Sequence, residues 1–118
     1  MSAIQNTPRG EQRPRALLVG DGPSRGDSLA ALLQACGYHA VPCISREKAM
    51  QAFAEQFPEV VFIDLAPADE HGLDLARRIK ERCDDRFVPV IFIADPGGGQ
   101  DISRCVDAGG DDLMTRPL

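Results

Sequence analysis

The sequence predicts a doubly wound α/β fold, a five-stranded parallel sheet with helices on both faces. Three observations predict it. Short apolar runs without polar alternation recur, as strands covered on both faces require. Amphipathic stretches of helical period separate those runs. Glycine, proline or a capping residue marks the junctions. With 118 residues, 43% of them hydrophobic and 26% charged, the chain fits one globular domain.

The elements follow in order. Met1 to Pro14 is polar, interrupted by Pro and Gly and without apolar period, so it reads as a disordered tail, with the domain spanning 15–118. The run Ala16-Leu17-Leu18-Val19 stops at Gly20, as a buried strand would. Ser24 then caps a helix, with Asp27 in capping-box position. Leu29, Leu32, Leu33 and Cys36 form its apolar stripe, and Gly37 supplies the left-handed C-terminal residue. Tyr38 to Cys43 is a second strand containing Pro42, which cannot donate to a sheet ladder and so belongs on the sheet's edge. Ser45 opens a second helix, with Ala49, Phe53 and Phe57 four apart.

Val60 to Ile63 is wholly apolar and ends on Asp64. A loop from Leu65 to His71 leads through Gly72 into a third helix with an inner face of Leu73, Ala76, Ile79 and Cys83. Val88 to Ile93 is the fourth strand, Asp95 to Gln100 a loop, Asp101 to Ala108 a short helix, and Asp112 to Thr115 the last strand. Right-handed crossovers follow from the general rule for parallel sheets.

Composition excludes several classes. The net charge is −5. Setting aside Arg9, Arg13, Arg15 and Glu11 leaves ten bases against seventeen acids from Ala16 onward, a net of −7. A body that acidic is repelled by phosphate backbones, and with no Trp and 5% aromatic residues it lacks stacking platforms, so no direct nucleic-acid contact is expected. No apolar run reaches the roughly 20 residues of a membrane span, and no signal peptide opens the chain. Cys36, Cys43, Cys83 and Cys105 form no metal-ligand spacing and read as small core residues in a reducing cytoplasm. Residues 20–26 spell a glycine pattern reminiscent of dinucleotide binding, but Asp21 would oppose a pyrophosphate and no acid ends the second strand, so an enzyme of that kind is not expected.

Folds of this class bind ligands at the carboxyl ends of their strands. Asp21 and Asp64 stand there. Two converging carboxylates repel unless a cation fills the crevice, and hard oxygen donors favour Mg²⁺. A carboxylate beside such a cation is a feasible phosphoryl acceptor. An aspartate at a strand end is equally read as a turn former or helix cap, and spacing alone leaves both open. His71 reads as a solvated loop residue, Gly97-Gly98-Gly99 as a loop, and Arg77, Arg78, Lys80 and Arg82 as a solvated helix face.

Four segments carry a resemblance: RALLVGDGPS (15–24), VVFIDLAPADEHGLDL (60–75), VPVIFIAD (88–95) and DAGGDDLMTRPL (107–118). In order and interval the chain resembles a receiver domain of two-component response regulators. The resemblance implies a flavodoxin-like sheet of order 2-1-3-4-5, with the last helix of that fold lacking. It implies Asp64 as phospho-acceptor, Asp21 and Asp64 as Mg²⁺ ligands with the backbone carbonyl of Ala66, and Arg116 at the family's lysine position. Gly72 fits the glycine closing the acceptor loop, and a cis bond before Pro117 is implied. The implied partners are a histidine kinase or phosphotransfer protein and an output domain or effector protein. The implied missing helix leaves apolar surface near Leu18 and Ile91, so a homodimer is expected.

Departures from the family pattern alter the machinery. Gly20 stands where a second acid is usual, Ala94 where a hydroxyl is usual, Leu113 where an aromatic is usual, and Pro67 one residue early. Arg116 replaces a compact ammonium by a planar fork. Two outcomes stay open: slow phosphate acceptance on Asp64, or a degenerate receiver that works through phosphorylation-independent protein contacts.

Overall fold

The computed structural model describes residues 13–20, 23–65, 70–83, 86–95 and 102–116, without the side chains of 23–28. Asp21, Ala66, Pro67, Gly97 to Gly99, Pro117 and most of the expected tail therefore lie outside the described residues. The elements are β1 (Arg15–Val19), α1 (Pro23–Ala35), β2 (His39–Cys43), α2 (Arg46–Gln56), β3 (Val60–Asp64), α3 (Glu70–Glu81), β4 (Val90–Ala94), α4 (Ile102–Asp107) and β5 (Asp112–Thr115). All strand pairs are parallel and the sheet order is β2-β1-β3-β4-β5. Pro42 sits in the edge strand β2 opposite Leu18, where its missing donor costs nothing.

Side-chain alternation sorts the sheet into two faces. Leu17, Val61, Ile63, Val90 and Phe92 point toward α2, α3 and α4 and form the larger core with Phe53, Leu73, Leu75, Ala76, Ile79 and Cys105. Ala16, Leu18, Val60, Phe62 and Ile93 point the other way, where among the described residues only α1 covers them, through Leu29, Ala30 and Leu33. Two differences from expectation accompany that single cover. Leu32 and Cys36, expected in the α1 stripe, are exposed, and among the described residues neither core cluster includes them. Leu18 is itself buried and Ile91 partly so; the exposed apolar residues near this layer are Leu32 at 49% and Met114 at 36%.

Several boundaries shift. Pro14 already accepts the His39 amide at 2.8 Å, so the sheet's ladder reaches one residue into the expected tail. α1 starts at Pro23, a favoured first helical residue, which puts Ser24 inside the helix rather than before it. α3 starts at Glu70, so Gly72 is a buried helix residue and His71 an exposed helical one, not part of a loop. β4 starts two residues later than the apolar run suggests and ends one later, at Ala94, although the Pro89 carbonyl already accepts the Val61 amide ahead of it.

The helix ends use the expected chemistry. Ser45 Oγ accepts the Lys48 amide at 3.1 Å at the start of α2. After α1, Gly37 has φ +95°, the Tyr38 amide reaches Leu33 O and the Gly37 amide reaches Gln34 O, a Schellman closure. The same pattern recurs after α4 at Gly109, φ +94°. Phe57 ends α2 at φ 41° instead of continuing its stripe; its ring packs on Phe53 and under the Arg86 guanidinium, 3.9 Å from the centroid.

Candidate functional site

Strand parity builds the site. Val19 pairs with Ile63, so the next residue, Gly20, stands beside Asp64, the last residue of β3. Ala94 pairs with Thr115, so Asp95 and Arg116 face each other one step beyond the β4–β5 ladder. The Arg116 amide extends that ladder by donating to Ala94 O at 2.9 Å, and the Leu65 amide donates to Ile93 O at 2.8 Å. Two-residue alternation then turns Gly20, Asp64, Asp95 and Arg116 to the same side of the sheet.

The result is a guanidinium set between carboxylates. Arg116 Nη2 donates to Asp64 Oδ2 at 2.7 Å and Nη1 to Asp64 Oδ1 at 3.1 Å, a bidentate fork. Nη1 also donates to Asp95 Oδ1 at 3.3 Å. The Asp64 side chain is only 8% exposed and that of Arg116 21%, so the pair is largely withdrawn from water, where its attraction is weakly screened. A Cβ on Gly20 would lie 3.0 Å from Asp64 Cβ, so the missing side chain is what lets these strand ends approach. Ala94 is buried at 3% exposure and brings a methyl to the end of β4. Leu113 packs against the larger core.

Of the expected site residues, the structure brings Asp64 and Arg116 together; Asp21 and Ala66 lie outside the described residues. Asp95, expected in a loop, belongs to the site. Its signal was present: it follows the end of a strand at the parity of Asp64 and Arg116. Lys80 also departs from its reading as a solvated face, since Nζ donates to Val88 O at 2.9 Å and to Asp111 Oδ2 at 2.6 Å. Arg77, Arg78 and Arg82 are exposed as expected.

Further ion pairs tie helices at this end of the sheet. Arg46 and Arg78 both donate to Asp74 Oδ2, at 3.2 and 2.9 Å, joining α2 to α3, and the Arg78 hydrogen bond holds the Asp74 carboxyl below its ordinary value. Arg104 pairs with Glu70, joining α4 to α3.

A divalent cation would need vacant oxygen donors. Among the described residues no three His, Cys, Asp or Glu converge to hold one. Both Asp64 oxygens carry the guanidinium, and Gly20 offers no ligand. The described residues as they stand do not fit Mg²⁺. What the arrangement does chemically is balance charge internally: the fork draws electron density from the carboxylate that would otherwise act as nucleophile.

The response regulator receiver domain family matches residues 16–118. A two-component response regulator of Oryza sativa, ORR1, is 32% identical over 114 residues, covering 88% of this chain and 49% of its own. The virulence transcriptional regulatory protein PhoP of Salmonella typhimurium is 31% identical over 104 residues, covering 88% and 46%. The chain thus spans about half the length of these curated relatives. Among solved structures, a CheY-like receiver domain from Methylobacillus flagellatus superimposes with TM-score 0.73 at 20% identity, over 91% of this chain and 89% of that one. Vibrio cholerae CheY4 does so with TM-score 0.78 at 15% identity, over 90% and 88%. Proteins of this family generally bind Mg²⁺ at the acidic site.

Proposed function

Because the chain belongs to the response regulator receiver domain family, we propose that it serves two-component signalling as a receiver module that acts through protein contacts, without a phosphorylation cycle at Asp64. One observation carries this reading: the bidentate closure of Asp64 by Arg116. Each Asp64 oxygen already accepts a charged donor, which lowers its nucleophilicity toward an incoming phosphorus. Two further features support it. Ala94 has no hydroxyl to hold a phosphoryl oxygen, and Gly20 removes one acid from the cation site. A ligand without differential contacts in two states shifts neither. The contact partner is an output domain or effector protein in the cytoplasm. The acidic body keeps this domain off nucleic acid, and among the described residues no helix is long and apolar enough to cross a membrane.

A second reading has its own observation: Asp64 persists at the carboxyl end of β3, next to a group that pairs well with phosphate. In it, a histidine kinase or phosphotransfer protein donates to Asp64 slowly, with Mg²⁺ held weakly by Asp21, Asp64 and the Ala66 carbonyl. Incubation with acetyl phosphate and Mg²⁺, followed by intact-protein mass, separates the two. The first reading predicts no phosphoryl adduct on the unaltered chain. An adduct that disappears in Asp64→Asn would establish the second.

A further inference from the structure

We propose that Arg116, braced by Asp95, is the resident cation of this site, standing in the charge-balancing role that a divalent metal would otherwise fill. The proposal deepens the closed-site reading above and rests on it. A carboxylate withdrawn from water needs a countercharge, and the described part of the site supplies one from the chain itself. The fork takes both oxygens of Asp64. A long arginine side chain anchored at a strand end has rotamers that swing it away from the site, and holding one of them costs entropy. Asp95 supplies the restraint: its Oδ1 takes the same Nη1 that holds Asp64 Oδ1, so one nitrogen bridges two carboxylates from neighbouring strand ends. Asp95 is thus a positioning residue, acting on Asp64 through Arg116.

Two chemical features make the exchange of metal for guanidinium reasonable. Gly20 brings no acid to the end of β1, so the cluster needs less positive charge than it would with a second acid there. The site is also narrow at this point, with Gly20 at a distance where even a methyl would touch Asp64 Cβ at 3.0 Å. A planar fork reaching in from β5 occupies the remaining carboxylate face without displacing either neighbour.

The test measures thermal midpoints of the 118-residue chain and its variants, with Mg²⁺ and with chelator. The unaltered chain should melt at the same temperature in both. Arg116→Met keeps the aliphatic stem and removes the charge, so its midpoint should rise by several degrees on adding Mg²⁺, the shift expected for a domain of this size at about ten times the dissociation constant. Asp95→Asn loosens the fork without removing it and should show a smaller rise. Arg116→Lys covers the case in which Arg116→Met fails to fold, and should respond to Mg²⁺ because an ammonium cannot hold both oxygens in a fork. A rise in the unaltered chain as large as in the Arg116 variants overturns the resident cation, and an Asp95→Asn variant as indifferent as the unaltered chain overturns the brace. The phosphodonor experiment on the same samples keeps the two proposals apart. Indifference to Mg²⁺ together with an Asp64 adduct removes the phosphorylation-independent reading alone. A Mg²⁺ response without an adduct removes the resident cation alone.

Discussion

Arg116 and Gly20 between them set the chemistry of the acidic end. Putting an acid at Gly20 tests this directly, because its Cβ would press on Asp64 and its charge would compete for the one guanidinium. Gly20→Asp is expected to lower stability by roughly 1–2 kcal/mol in chelator, with Mg²⁺ recovering part of the loss, as measured by urea denaturation. Asp64→Asn leaves Arg116 facing a neutral amide; with Arg116 partly solvated, the expected cost is about 2 kcal/mol, as for a hydrogen bond to a charged group. The thiols divide in the same physical way. Burial pushes the Cys43 thiol up, while Cys36 is exposed. A disulfide reagent should therefore modify Cys36 rapidly in the folded chain and Cys43 only on unfolding. Because Cys43 stays protonated when folded but ionises when unfolded, stability should decline as pH rises through the ordinary thiol range; a flat profile there would remove the buried-thiol account. Asp64 was legible as a carboxylate at a strand end, and Arg116 only through the family resemblance. Asp95 carried the same signal as Asp64, one step past the fourth strand, but reading it as the first residue of a loop hid that two-residue alternation turns it to the side of Asp64 and Arg116.

Single elements are decided by backbone demands that sequence conveys unevenly. Gly37 was legible as a helix stop, and its surroundings are open, so Gly37→Ala meets only the left-handed penalty of about 1 kcal/mol. Gly110 carried no such signal, yet a Cβ there would lie 2.3 Å from Phe92 Cε2 and 3.0 Å from Cys105 O. Phe92 is fully buried and cannot move aside, so Gly110→Ala should cost about 3 kcal/mol, and Phe92→Leu in the same chain should return part of it. Comparable denaturation midpoints for Gly37→Ala and Gly110→Ala would contradict the packing of β4 against the turn before β5. The Lys80–Asp111 link was equally hidden, because helical period marks Lys80 as outward. Its long stem instead carries the ammonium around the end of α3 to Asp111, whose Oδ2 also accepts the Val90 amide at 2.8 Å.

For the whole molecule, sheet order and helix placement follow from patterns of apolar runs, and these were readable because parallel strands buried on both faces leave an unmistakable hydrophobic signature. Unequal covering of the two faces was only partly readable: the resemblance pointed to an under-covered face with exposure at Leu18, Ile91 or their neighbours, whereas Leu18 is buried and the exposed apolar residues near this layer are Leu32 and Met114. With α1 as the one described cover, this face is expected to bring two copies together, giving a dimer by light scattering at high micromolar concentration, and Leu32→Glu with Met114→Glu should return monomers. The Asp64–Arg116–Asp95 cluster sits where β3, β4 and β5 end, so any response to phosphorylation must pass through it. The most direct test records backbone amide shifts with beryllofluoride and Mg²⁺, a mimic of the phosphorylated aspartate. A closed site predicts shifts confined to the neighbours of Asp64, with α4 and β5 unmoved. Large shifts spreading from Asp64 through residues 102–115 in the unaltered chain would contradict it.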